Sequence, residues 1–147
     1  MKNNLPKKVD ILDVTLRDGF QHEEIFIPTE SKLWTANKLI EAGFKRIEIS
    51  TFSHVKYVPQ FKDIFELLKA LPQDDNVEYT VLALNTKACE RVAKALEAGI
   101  QKDRVFCGQF ATSEAYAKKN MNRTHEELFA EAKKNVKFLH SLGIKKV

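Results

Sequence analysis

The sequence predicts an α/β fold in which helices alternate with parallel strands. A helix-like segment that ends in Gly, followed by an apolar residue and then a β-rich run, occurs three times, at Gly43, Gly99 and Gly143. Glycine suits the left-handed position that closes a helix, and the apolar residue after it can pack back on the last turn. Each helix therefore leads into a strand, as in βα units joined by right-handed crossovers.

Four β-rich runs are expected to form the sheet, and the last residues of the chain look like the opening of a fifth strand. The four runs are residues 9–16, 46–50, 79–84 and 105–110, and the fifth is 144–147. Strands of this kind, separated by helical segments, form a parallel sheet that is buried on both faces.

The four helices between these strands carry recognisable start signals. In chain order, the predicted starts are Thr29 after Pro28, a point just after Pro59, Asn85 or Thr86, and Thr124. The second helix is expected to end at Pro72. At the fourth, Thr124 and Glu127 have the spacing of a capping box, in which each side chain satisfies a free backbone amide of the other residue.

Two parallel architectures fit this order of elements within residues 1–147, which we interpret as one domain. An open doubly wound sheet suits the length, since an eight-stranded barrel needs about 250 residues. However, the first βα turn lacks a Gly-rich phosphate loop, and the sequence stops inside the fifth strand. These features favour the amino-terminal (βα)4 half of a TIM barrel, with its carboxyl-terminal half absent.

The composition and charge of the chain argue against some classes of binding partner. The 147 residues are 44% hydrophobic and 30% charged, and the net charge of +4 comes from lysines near the two ends. Because the rest is close to neutral, we predict no nucleic-acid partner. No apolar run is long enough to cross a bilayer and no signal peptide is recognisable, so we predict a cytoplasmic protein with no membrane partner. Cys89 and Cys107 are expected to be reduced thiols.

The first strand leads into Arg17, Asp18 and Gly19, at the edge where parallel α/β folds place their chemistry. An adjacent Arg and Asp can be a structural ion pair. They can also form a site, because Asp18 offers a hard carboxylate oxygen to a divalent cation and Arg17 offers a fork of donors to a carbonyl or enolate oxygen. Gly19 allows the backbone to turn sharply. We favour the site.

Glu48 places a carboxylate inside a strand that is otherwise apolar. A buried charge is costly unless it is paired, and Arg17 on the preceding strand is the natural partner. The pair can be purely structural, or Glu48 can fix Arg17 in a site or relay protons there. The two interpretations are compatible, and we favour the second.

Five short blocks of the sequence occur in a recognisable order. They are RDGFQHE at 17–23, IE at 47–48 with Phe52, KYVPQ at 56–60, VL at 81–82 with Asn85, and KKNMN at 118–122. Together these blocks resemble the metal-dependent barrel enzymes that make or break a C–C bond next to an acyl-CoA or 2-oxo acid. This group includes hydroxymethylglutaryl-CoA lyases, isopropylmalate and homocitrate synthases, and the carboxyltransferase domain of pyruvate carboxylase. The sequence is most similar to the lyases within this group.

The resemblance implies roles for particular side chains. Asp18 would bind a divalent metal, Mg²⁺ or Mn²⁺, Arg17 would stabilise the oxyanion of C–C cleavage, and Glu48 would organise the site as a second catalytic residue. The resemblance also implies four substrate-binding positions: Gln21, Lys118, Lys119 and Asn120. The last three would lie near an acyl-CoA. The alternative for the two lysines is that they lie on a solvated loop. The family's remaining metal ligands, a His-x-His pair and an Asn, and its catalytic Cys have no counterpart in this sequence.

The implied reaction is the retro-Claisen cleavage of 3-hydroxy-3-methylglutaryl-CoA to acetyl-CoA and acetoacetate. Two departures keep alternatives open: Thr15-Leu16 before Arg17 is more usual in the synthases, and Glu24 stands where lyases carry a Lys. A condensing synthase is therefore one alternative. A catalytically silent half-barrel that self-assembles is another, because exposed strand edges favour association. We expect the 147-residue chain alone to be almost inactive and to form a homo-oligomer, a dimer or larger.

Overall fold

The structure is a computed structural model that describes residues 5–99, 104–107 and 112–147. Helices and strands alternate along it, as the sequence predicts. The α-helices are α1 (Thr29–Glu41), α2 (Ile64–Ala70), α3 (Thr86–Glu97), α4 (Glu114–Met121) and α5 (His125–Ser141). The strands are β1 (Arg46–Thr51), β2 (Glu78–Ala83) and β3 (Arg104–Cys107).

The three strands form a parallel sheet in the order β1-β2-β3. Glu48 of β1 is in register with Thr80 of β2, and the register shifts between Glu48 and Ser50, which marks a bulge. All of β1 except Arg46 is buried. The predicted α/β class with a parallel sheet covered by helices is therefore confirmed.

The prediction that residues 9–16 form a strand is wrong. Only Asp13 pairs with β1, through an isolated parallel bridge to Ile47. The Asp13 carboxylate accepts hydrogen bonds from the backbone N–H and the hydroxyl of Thr15, at 2.9 and 3.1 Å. A short Asp side chain that binds nearby backbone in this way competes with a strand ladder. The chain instead continues into a single π-helical turn, Thr15–Gly19.

Other predicted bounds also change. The helix after Pro59 begins as a 3₁₀ turn, Pro59–Phe61, and becomes α-helical only at Ile64. Of the predicted fourth strand, 108–110 lie outside the described residues, and of the predicted fifth strand only Lys146 forms a β-bridge. Helix α4 was not predicted, because its eight residues have little amphipathic pattern. It is short and mostly exposed.

The predicted glycine closures and caps are confirmed, whereas the helix expected to end at Pro72 ends at Ala70. Gly43, Gly99 and Gly143 have φ values of 94°, 80° and 86°, the left-handed conformation that closes a helix. The Asn85 side chain caps α3 by accepting from the Ala88 N–H at 2.9 Å. Thr124 and Glu127 form the capping box of α5. Local sequence therefore determines where these helices begin and end.

The core lies between the sheet and the helices. Its fully buried members include Leu16, Ala36, Ile47, Ile49, Leu67, Ala83, Cys89 and Leu139. Leu16 brings the π-helical turn into this core, so the turn is anchored against β1 although it is not a strand. Among the described residues, no helix combines the length and apolar character that a bilayer crossing requires.

Candidate functional site

The candidate site forms where the π-helical turn passes over β1. The bridge between Asp13 and Ile47 holds the chain parallel to β1, and Leu16 anchors the next turn in the core. This geometry carries Arg17 over Glu48, which lies in the middle of β1. The predicted pairing of Arg17 with Glu48 is thus present, although the segment before Arg17 is not the strand that was predicted.

Arg17 links two carboxylates. Its Nε donates to Glu48 Oε1, and its Nη1 donates to Asp18 Oδ1 at 2.6 Å. The Glu48 side chain is 4% exposed, that of Arg17 is 18% exposed and that of Asp18 is 50% exposed. The three groups therefore run from the protein interior to solvent, with the guanidinium between them. We call these three residues the Arg17 cluster.

Burial raises the pKa of Glu48 above its usual value, and the hydrogen bond and positive charge of Arg17 oppose this shift. The nearby charge of Asp18 raises the Glu48 pKa further. A carboxyl group in this environment retains its proton to a higher pH than an exposed one does. Glu48 can therefore hold or release a proton beside the guanidinium while it positions Arg17.

Two hydroxyls near Glu48 were not anticipated from the sequence. Ser50 Oγ and Thr80 Oγ1 are buried and have no hydrogen-bond partner within the described part of the chain. Thr80 is the register partner of Glu48 on β2, and Ser50 lies two residues further along β1. Ser and Thr are ordinary in strands, so only the register reveals that Thr80 lies opposite Glu48 on the neighbouring strand. Unsatisfied buried hydroxyls add polar character to this region.

The predicted substrate-binding residues fall into two places. Gln21 is partly buried two residues after the π-helical turn and three residues after Asp18 of the Arg17 cluster. Lys118, Lys119 and Asn120 are exposed on α4, so they lie on a helix and not on the loop considered above. Asn120 lines a cavity of about 290 Å³ with Asn85, the residue that caps α3 just beyond the end of β2. Among the described residues, no hydrogen bond or ion pair joins this second group to the Arg17 cluster.

A divalent cation fits Asp18 only in part. The carboxylate is a hard oxygen donor at the exposed end of the Arg17 cluster, as Mg²⁺ or Mn²⁺ prefers. Yet within 5–99, 104–107 and 112–147 no three His, Cys, Asp or Glu side chains are grouped to hold a metal ion. The exposed His54 is engaged locally, since its Nδ1 accepts from the Lys56 N–H at 3.1 Å. Asp18 can thus supply one ligand of an otherwise incomplete set.

Comparison with known proteins decides the family. The family profile described as HMGL-like matches residues 8–147. The chain belongs to the HMGL-like family. Relatives include a hydroxymethylglutaryl-CoA lyase of Bacillus subtilis, 37% identical over 83% of this chain and 39% of its own length. The human cytoplasmic 3-hydroxy-3-methylglutaryl-CoA lyase is 34% identical over 97% of this chain and 37% of its own length.

Solved structures confirm the half-barrel. The hydroxymethylglutaryl-CoA lyase of Pseudomonas aeruginosa superposes with a TM-score of 0.83 and 31% identity, over 98% of this chain and 46% of that one. An HMG-CoA lyase of Acinetobacter baumannii, in complex with coenzyme A and 3-methylmalate, superposes with a TM-score of 0.76 and 26% identity, over 93% and 42% of the two chains. This HMGL-like chain therefore spans less than half the length of these relatives.

Proposed function

We propose that this HMGL-like chain is the amino-terminal part of a divalent-metal-dependent lyase that cleaves 3-hydroxy-3-methylglutaryl-CoA to acetyl-CoA and acetoacetate. The observation that carries the proposal is the Arg17 cluster, in which a buried Glu48 and an exposed Asp18 both bind one guanidinium. Its residues lie within the segment that matches the family. The names of the relatives support the substrate and the reaction.

Arg17 is proposed to stabilise the negative charge that develops on the thioester oxygen when the C–C bond breaks. A guanidinium has several N–H donors in a fixed plane, and within the described residues two of them go to Glu48 and Asp18. The others remain for a substrate oxygen. Because Glu48 fixes the plane in advance, no reorganisation is needed as charge develops, which is the basis of electrostatic catalysis.

Glu48 and Asp18 are proposed to have different tasks because their environments differ. Glu48 is buried and has a raised pKa, so it can position Arg17 and exchange a proton with a group beside it. Asp18 is half exposed and is proposed as one ligand of Mg²⁺ or Mn²⁺. A bound divalent cation supplies Lewis-acid polarisation of substrate oxygens. No second His, Cys, Asp or Glu group of the described residues completes a metal site with Asp18, so further ligands are proposed to come from elsewhere in the protein.

Acyl-CoA is the proposed small-molecule partner. Gln21 is proposed to contact a substrate held by the Arg17 cluster, because it lies two residues after the π-helical turn. Lys118, Lys119 and Asn120 are exposed on α4, where two positive charges can bind phosphate groups. The A. baumannii relative, which is described as a complex with coenzyme A, supports this assignment.

A fusion protein tests the proposal. Residues 8–147 would replace the matching segment of the B. subtilis lyase, and acetoacetate release from 3-hydroxy-3-methylglutaryl-CoA would be measured with Mg²⁺ or Mn²⁺. We expect cleavage, and a loss of about 100-fold or more in Arg17→Gln, as for removal of an oxyanion donor. A folded fusion that consumes acetyl-CoA and a 2-oxo acid instead would favour the alternative synthase, and one without either activity would contradict the proposal.

A second candidate is a catalytically silent, self-assembling half-barrel. The favouring observation is exposed apolar surface on the segment beside β1, where Val9 is 70% exposed and Ile11 is 65% exposed. Surface of this kind favours association. Light scattering of the 147-residue chain should show dimers or larger species that dissociate in Ile11→Asp, together with almost no lyase turnover. A monomer at all concentrations would exclude this candidate.

The cytoplasmic location stays a prediction of the sequence. Relatives carry both cytoplasmic and mitochondrial names, so similarity does not select a compartment. Fractionation of cells that express the natural gene would determine it.

A further inference from the structure

The two cysteines of the chain lie together, away from the Arg17 cluster. Cys89 is in α3, Cys107 is the last residue of β3, and their Sγ atoms are 3.9 Å apart. Both thiols are free. A disulfide has an S–S length of about 2.05 Å. Rotation of one or both side chains about χ1 would therefore have to bring the sulfurs about 2 Å closer.

The fold itself brings these thiols together. Cys107 is the register partner of Ala83 on the neighbouring strand β2. Cys89 lies in α3, the helix that follows β2, and its Sγ contacts the Ala83 carbonyl oxygen at 3.8 Å. Both cysteines are therefore held against Ala83, one by strand pairing and the other by the packing of α3 on the sheet. Their proximity is a property of the β2-α3-β3 unit.

The two thiols differ in access and in acidity. Cys89 is fully buried, whereas Cys107 is only partly buried. The hydrogen bond between them lowers the pKa of Cys107 and, together with burial, raises the pKa of Cys89. The thiolate is the reactive form of cysteine. Cys107 is thus the thiol that a small oxidant can reach, and Cys89 is the thiol positioned behind it.

We propose that Cys89 and Cys107 form an oxidisable dithiol site that a hydroperoxide converts to an internal disulfide. The Cys107 thiolate attacks one oxygen of hydrogen peroxide, the O–O bond breaks, and hydroxide leaves and takes up a proton, which gives a sulfenic acid and water. The Cys89 sulfur then attacks the Cys107 sulfur. The S–O bond breaks, and the hydroxide that leaves takes the Cys89 proton, so a second water forms. Two thiols are oxidised and one peroxide is reduced.

The disulfide would connect α3 to the carboxyl end of β3. That end of the sheet is where parallel α/β folds place their ligands. A cross-link also restricts the unfolded chain, so it raises the thermal midpoint of a protein whose folded geometry accepts it. Oxidation is therefore expected to stabilise and stiffen this part of the fold, and a thiol reductant is expected to reverse the effect.

Peptide mapping tests the proposal without use of lyase activity, so its outcome is separate from that of the proposed function. The folded 147-residue chain is treated with hydrogen peroxide, free thiols are alkylated, and the digest is analysed by mass spectrometry. We expect a peptide pair joined through Cys89 and Cys107, two hydrogens lighter than the reduced pair. We also expect a higher thermal midpoint that a thiol reductant returns to its starting value.

Two serine variants separate the steps. In Cys89→Ser, Cys107 should accumulate as a sulfenic acid that dimedone traps. In Cys107→Ser, Cys89 should stay reduced at the same peroxide dose, because it is buried. The proposal is overturned if both thiols of the unsubstituted chain remain alkylatable after peroxide, if they form only cross-links between chains, or if Cys89 of the Cys107→Ser chain is oxidised at the same peroxide dose. Circular dichroism establishes that each variant is folded.

Discussion

Two ion pairs in this molecule involve buried charges, and they have different characters. Lys32 and Asp63 join α1 to the segment before α2, and their side chains are 1% and 4% exposed. Arg17 and Glu48 join the π-helical turn to β1, at 18% and 4% exposure. Burial is similar at Glu48 and Asp63, so burial alone does not distinguish a structural pair from a functional one.

The ion pair between Lys32 and Asp63 is closed, in the sense that its polar groups are bonded within the protein interior. Lys32 Nζ donates to Asp63 Oδ1 and to the Gln60 carbonyl, both at 2.6 Å, and it lies 4.5 Å from the centre of the Phe26 ring. The Thr29 hydroxyl donates to the other Asp63 oxygen at 2.8 Å. These contacts are made in the protein interior, and neither charged side chain faces solvent.

The Arg17 cluster is open. Asp18 is half exposed, and the guanidinium retains donors that are not used by Glu48 or Asp18 among the described residues. An ion pair thus becomes a candidate site when one end of it still has bonding capacity that faces solvent. The two pairs are expected to differ in their effect on stability, in their pH dependence and in ligand binding.

The largest effect is expected for Lys32→Met, which leaves Asp63 buried without its cation. Loss of one partner of a buried pair costs about 3–5 kcal/mol of unfolding free energy. Urea unfolding of Lys32→Met and of the original chain measures this loss. Lys38→Met on the same helix removes only the exposed pair with Glu41 and should cost about 0.5 kcal/mol or less. Equal losses in the two variants would contradict the closed-pair interpretation.

A smaller loss is expected for Arg17→Met, about 2–3 kcal/mol near neutral pH, because Glu48 loses its partner but can relieve the penalty by binding a proton. Arg17→Lys keeps the charge and should recover part of the loss, yet it cannot bind both carboxylates with the same planar fork. Urea unfolding of both variants is the test. If Arg17→Met were as stable as the original chain, Glu48 would not depend on Arg17.

The contribution of Glu48 to the free energy of unfolding should change with pH in a definite direction. Its pKa in the folded chain lies above the usual 4.5. Between 4.5 and that raised value, the folded chain binds more protons than the unfolded chain, so the Glu48 contribution to stability falls as pH rises. Glu48→Gln lacks this contribution.

The difference in unfolding free energy between the original chain and Glu48→Gln should therefore decrease as the pH rises from about 4.5 towards neutrality. Urea unfolding of both chains at a series of pH values measures this difference. A difference that stays constant, or that grows with pH, would contradict the raised pKa.

Much of the fold could be predicted because its signals are local. Glycines at helix ends and the Thr124 capping box act within a few residues, so Gly43, Gly99 and Thr124 were assigned correctly. The first strand could not be predicted correctly in the same way. Residues 9–16 have strand-like composition, but the Asp13 side chain binds the backbone of Thr15, and Val9 and Ile11 stay exposed.

The candidate site was predictable where a residue contradicts its surroundings. Glu48 is conspicuous because it interrupts an apolar strand, whereas Lys32 is not, since a Lys on a helix has the appearance of a surface residue. The buried hydroxyl of Thr80 and the contact between Cys89 and Cys107 depend on strand register and helix packing. These long-range features leave no mark in the local sequence.

The central claim is that the exposed end of the Arg17 cluster binds a ligand and does not merely close an ion pair. The most direct test follows Mn²⁺ broadening of the amide NMR signals of the 147-residue chain. We expect weak broadening centred on Asp18 and its neighbours, its absence in Asp18→Asn, and its persistence in Asp75→Asn, an exposed control. Asp18→Asn should change the unfolding free energy by less than about 1 kcal/mol. Unaltered broadening in Asp18→Asn, or a loss of stability as large as that of Lys32→Met, would contradict the claim.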